Sequence, residues 1–140
     1  MRFIAFILIL AIVGCGKTIY NPEFFHDYVK TFEAESRIYG NAQNVNNLII
    51  RFAGRDSPNL PDTIAGRCTA SIGTPLIEIN PVHWSHFTAE CKEILIFHEM
   101  GHCILNLDHD DSKPAIMNTN LLCHYNDNRT GILSDFFKNK

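Results

Sequence analysis

The stretch Ile94-Leu95-Ile96-Phe97-His98-Glu99-Met100-Gly101-His102-Cys103-Ile104-Leu105 constrains this chain more than any other. Read at helical spacing it is apolar nearly all round, the pattern of a buried helix. It also carries two histidines and a glutamate, and such groups are costly to bury unless a partner satisfies them. Four residues are a little over one helical turn, so His98 and His102 share a face and can hold one metal ion. Imidazole nitrogen suits Zn2+. Glu99 stands beside them, where a carboxylate can accept a proton from water activated by such an ion. Thr88 is a fair N-cap and Glu90 falls in the first turn, so the helix is expected to run to about Leu105.

A catalytic zinc takes three protein ligands and keeps a fourth position open. Asn106, Leu107, Asp108 and His109 follow the helix. The segment resembles the metzincin peptidases, whose pattern is His-Glu-x-x-His-x-x-Gly-x-x-His, with the Gly turning the chain so that the last His reaches the metal. It departs from that pattern, because Leu105 stands at the Gly position and Asp108 at the third-His position. A shift of one residue restores the logic. Asn106 tolerates the left-handed conformation, and His109 then stands three residues beyond it. His109 is the expected third ligand and Asp108 the alternative, the unused one being available to orient a ligand imidazole.

Pro114-Ala115-Ile116-Met117-Asn118 resembles the Met-turn of the same family, in which a Met packs beneath the metal. The resemblance implies a minimal zincin of the metzincin type. One catalytic Zn2+ would be held by His98, His102 and His109, with Glu99 as general base and Met117 and Asn106 as structural support. The substrate would be a peptide or protein; Leu76 to Ile79 reads either as a sheet edge to which its backbone adds, as in the family, or as a plain core strand. Tyr125 does not stand at the family's usual spacing after the Met and is not assigned to the site. Two other functions are open: a non-catalytic, zinc-stabilised surface lipoprotein that binds a partner, and hydrolysis of another amide such as a cell-wall crosslink. Glu99 weighs against the first, since a structural zinc needs no base.

The N-terminus reads as a targeting segment. Arg2 precedes the apolar run Phe3 to Val13, which is too short to span a bilayer but has the length of a signal-peptide core. The run ends in Ile12-Val13-Gly14-Cys15, which resembles the lipobox of bacterial lipoproteins. The expected organisation is a signal peptide over 1–14, a tether over 15–21 and a zinc metallopeptidase domain over 22–140. A lipid on Cys15 would hold the exported protein on the cell envelope. Gly16, with no acidic residue after the Cys, points to the outer membrane of a cell that has one. Export puts Cys68, Cys91, Cys103 and Cys123 in an oxidising compartment. Four cysteines allow three pairings. Cys68 with Cys91 and Cys103 with Cys123 is the expectation, and four buried thiols the alternative.

The rest of the chain is that of one ordinary domain. It has 140 residues, 46% of them hydrophobic and 19% charged, with net charge −3 and no block of Lys or Arg, which argues against nucleic acid as the main partner. Phe24 to Tyr39, with Phe25, Tyr28, Val29, Phe32 and Ile38 apolar, suits an amphipathic helix stopped at Gly40-Asn41. Strands are expected at Leu48 to Phe52, Arg67 to Ile72 and Leu76 to Ile79, and a closing helix within Tyr125 to Phe137. The sum is an α+β domain, with a small mixed sheet, an N-terminal helix, an active-site helix and a C-terminal helix.

Overall fold

The structure is a computed structural model, and it describes residues 23–54, 60–70, 73–113 and 115–138. The expected signal peptide, the tether with Cys15, and Pro114 lie outside these residues. Seven elements follow one another: α1 (Glu23–Ile38), β1 (Ile49–Phe52), β2 (Gly66–Thr69), β3 (Leu76–Ile79), α2 (Pro81–His86), α3 (Ala89–Leu105) and α4 (Arg129–Lys138). The described residues form an α+β domain with four helices and one three-stranded sheet. No helix among them is long and apolar enough to cross a membrane.

The N-terminal helix forms because Phe25, Val29 and Phe32 recur at helical spacing and are all buried. Ile38 lies off that stripe and is 71% exposed, contrary to its expected place on the apolar face. Gly40 ends the helix with φ +80, a conformation open to glycine at little cost. The buried Ser36 hydroxyl donates to the Glu33 carbonyl and accepts from the Gln43 amide, which directs the chain toward β1.

In the sheet the strand order is β1-β3-β2, with β1 parallel and β2 antiparallel to β3. β3 is therefore the central strand. Of the two readings of Leu76 to Ile79, the core strand holds and the substrate-pairing edge does not, because β2 pairs with its second side. The edge toward the site is β2. Side chains alternate across each strand. Ile50, Ile77 and Ile79 face the core, while Arg51, Glu78 and Arg67 form a row across the other face. Arg51 donates to the buried Glu78 carboxylate at 2.8 Å. β2 is also shorter than the expected Arg67 to Ile72, ending at Thr69.

Helix α3 runs through the middle, with Ile94 to Gly101 buried without interruption. Its start is capped by Thr88, whose hydroxyl accepts from the Cys91 amide at 3.1 Å. Phe32 of α1, Phe97 of α3 and Phe137 of α4 meet edge-on, with ring centroids 5.3 and 5.1 Å from Phe32. Helix α2 was not expected. Asn80 caps it, Pro81 begins it, and Trp84 packs on Phe25, Tyr28 and Phe52 while His86 is exposed.

Two disulfides staple the domain. They join Cys68 to Cys103 and Cys91 to Cys123, with Cα atoms 5.7 and 4.1 Å apart. The expected pairing of Cys68 with Cys91 and Cys103 with Cys123 is thus wrong. Twelve helical residues, about 18 Å, separate the two cysteines of α3. β2 lies beside the C-terminal half of α3, and the segment around Cys123 returns to its start, so neighbours in sequence are not neighbours in space.

Candidate metal centre

Three imidazoles converge at the end of α3. The Nε2 atoms of His98, His102 and His109 lie 3.3 Å (His98–His102), 3.2 Å (His102–His109) and 3.2 Å (His98–His109) apart. This is a group able to hold a metal ion. A tetrahedral ion with N bonds of about 2.05 Å sets its ligand nitrogens roughly 3.3 Å apart, which the triangle matches.

The surroundings decide which nitrogen the two helical rings present. His98 donates from Nδ1 to the Ile116 carbonyl and His102 from Nδ1 to the Leu107 carbonyl, both at 2.7 Å. A neutral imidazole carries one proton, so these bonds leave the Nε2 lone pairs of His98 and His102 facing one another. Lone pairs in that arrangement repel unless a cation lies between them, and this donor set fits a metal of the borderline-soft type. Burial, aided by the neighbouring imidazoles and opposed by the Ile116 carbonyl, lowers the His98 pKa to about 4, so this ring is neutral.

The third histidine arrives by a turn. Asn106 follows α3 with φ 54 and ψ 42, the left-handed conformation that Asn adopts more readily than most residues. Both its amide and that of Leu107 donate to the Gly101 carbonyl, which folds the chain back. Asp108 is exposed and is not part of the converging group, although it was the alternative ligand. The loop beyond His109 closes on itself: the Asp110 amide donates to the Met117 carbonyl at 2.8 Å, and the Thr119 amide and hydroxyl donate to the Asp111 carboxylate at 2.7 and 2.8 Å.

Met117 sits in a turn spanning 115–118, with the Asn118 amide bonded to the Ala115 carbonyl. Its sulfur packs against Gly101, where an added Cβ would collide with Met117 Sδ and with Phe136. Gly101 thus lets the Met sit beneath the metal-binding helix. A glycine inside an apolar helix costs about 1 kcal/mol against alanine, and that cost is the sequence signal of a close approach.

Glu99 is 4% exposed and lies against the edge strand. Burial raises its pKa to about 7, opposed by a hydrogen bond from the Cys68 amide and by the Arg67 charge. Nothing in the sequence marks Gly66 as its neighbour, yet a Cβ there would lie 2.8 Å from Glu99 Oε1. Glu99, the three histidines and β2 line one cleft of about 840 Å³, with Phe87, Leu107 and Leu121 supplying apolar wall. Tyr125 is elsewhere: it is buried, its hydroxyl donates to Glu93, and Arg129 bridges Glu93 to Glu35.

Comparison with protein-family models, with curated proteins and with solved structures finds no match for this chain.

Proposed function

We propose that the protein is a zinc-dependent endopeptidase of a minimal zincin type. The observation that carries this reading is the Nε2 triangle of His98, His102 and His109, opening on the same cleft as a buried carboxylate. A structural zinc closes its fourth position with a protein ligand, whereas among the described residues this group offers three and faces a cavity. When bound, zinc acts as a Lewis acid that polarises a carbonyl and makes water a competent nucleophile near neutral pH.

The chain's own residues do the rest. Glu99, with a pKa near 7, can take a proton from the attacking water and return it to the departing amine. The carbonyls of Ile116 and Leu107 hold the His98 and His102 rings in the tautomer that ligates through Nε2. The apolar walls and the outward-facing carbonyls of β2 suit an extended peptide, whose backbone amides can bond to a strand edge.

Replacing Glu99 with Gln tests the reading. Hydrolysis of a peptide library should fall by about a thousandfold or more while the metal content stays at one zinc per chain. A fully zinc-loaded wild type that cleaves no peptide in the library would instead favour a zinc-stabilised binding protein.

We also propose that the chain is exported and lipid-anchored through Cys15. The lipobox-like Val13-Gly14-Cys15 and the two disulfides of the domain both support this. Changing Cys15 to Ser should move the protein from the detergent-soluble membrane fraction to the aqueous one, and no change of fraction would refute it.

A further inference from the structure

Two pairs of side chains project from α3 at a spacing of four residues. His98 and His102 form one, and Glu99 and Cys103 the other. The first pair turns to the metal-binding group. The second turns to β2: Glu99 meets Gly66 and the Cys68 amide, and Cys103 is bonded to Cys68. We propose that Gly66 and the Cys68–Cys103 disulfide are positioning elements of the hydrolytic site, clamping the edge strand to α3 so that the Glu99 carboxylate is held at the cleft for proton transfer. This rests on the peptidase reading above.

Three independent observations converge on it. Within the sheet β2 has one strand neighbour, β3, so half of its amides and carbonyls face away from the sheet. The Ala65 carbonyl accepts from the Asn80 amide, which fixes the alternation of the antiparallel ladder. By that alternation the Cys68 amide points outward, away from β3, and it acts on the Glu99 carboxyl by lowering the pKa that burial raises. At Gly66 the fit is close, with an added Cβ 2.8 Å from Glu99 Oε1 and 3.0 Å from its Cγ, so a methyl there must displace the carboxylate. The disulfide joins the strand to α3 one turn beyond Glu99 and on the same side of the helix, and neither sulfur belongs to the converging donor group. The clamp therefore acts on the base and leaves the metal ligands alone.

The test compares Gly66→Ala and the double variant Cys68→Ser/Cys103→Ser with wild type, all zinc-loaded. The two variants disturb Glu99 by different routes, since the first retains the disulfide. Each should keep one zinc per chain at near wild-type affinity and an unchanged KM. Each should lose about tenfold to a hundredfold in kcat, the usual effect of misplacing a reacting group by an ångström or so. Leu133→Ala, which destabilises α4 away from the cleft, controls for lost stability and should keep kcat at temperatures where it is folded. In hydrogen exchange the Cys68 amide should be protected in wild type and exposed by Glu99→Ala. Wild-type kcat in both variants would overturn the proposal, as would a parallel loss of kcat and zinc affinity. Should the wild type cleave nothing, the peptidase reading fails by itself. The exchange measurement then decides, and a Cys68 amide indifferent to Glu99→Ala refutes the clamp.

Discussion

His98 and Glu99 are adjacent on one buried turn, and burial drives their pKa values in opposite directions. The imidazole is lowered from 6.5 to about 4 and the carboxyl raised from 4.5 to about 7. In both cases the neutral form is the one the interior accepts. Their effects on metal-free stability oppose each other. Folded Glu99 keeps a proton that the unfolded chain has released, so its contribution is full below pH 4.5 and is lost as pH rises to about 7. Folded His98 refuses a proton that the unfolded chain binds, so its contribution is full above pH 6.5 and is lost as pH falls to about 4. Each is worth on the order of 3 kcal/mol. Metal-free wild type should therefore show a nearly flat stability between these limits. Metal-free Glu99→Gln, with only the histidine left, should become steadily more stable from pH 4 to 6.5. Urea midpoints across that range measure the difference, and parallel profiles for the two proteins would contradict it.

At the scale of the element, the end of α3 decides how many ligands the site has. The helix contributes His98 and His102 by periodicity alone, whereas His109 depends on the left-handed Asn106. A β-branched residue is strongly disfavoured in that conformation. Asn106→Gly should leave zinc affinity within a few-fold of wild type. Asn106→Val should cost about 1–2 kcal/mol of stability and weaken zinc binding by tenfold or more. Competition with a chromogenic chelator reads both. Equal affinity for the two variants would mean that His109 reaches the metal without help from the turn.

The whole molecule is held from three directions. The packed phenylalanines join α1, α3 and α4; Arg129 ties Glu35 of α1 to Glu93 of α3; and the two disulfides fasten α3 to β2 at one end and to the Cys123 segment at the other. The bridges close sequence separations of 35 and 32 residues, each worth about 4 kcal/mol by loop entropy. A metal that joins α3 to the following loop adds to this by mass action. Zinc at about a thousand times its dissociation constant should raise stability by roughly 4 kcal/mol and the midpoint of thermal unfolding by ~15 °C. His109→Ala should lose most of that shift and Asp108→Ala should keep it, as read by calorimetry with and without chelator. The opposite result would give the third-ligand role to Asp108.

The sequence by itself determined what is local. The four-residue spacing of His98 and His102, the Thr88 cap, the Asn106 turn and, Ile38 apart, the apolar stripe of α1 each depend on a few neighbouring residues, and the structure shows these elements where the pattern puts them. The α+β class follows from the same periodicities. Only the tertiary structure decided which strand is central, which cysteines meet, and that Gly66 and Gly101 leave room for Glu99 and Met117. Even a short extended strand does not state its neighbours, and helix α2 carries no periodic signal because it is only six residues long with no buried residue. The reason is physical: backbone propensity acts over a turn or two, whereas strand order, cysteine partnership and close packing depend on where distant segments come to rest.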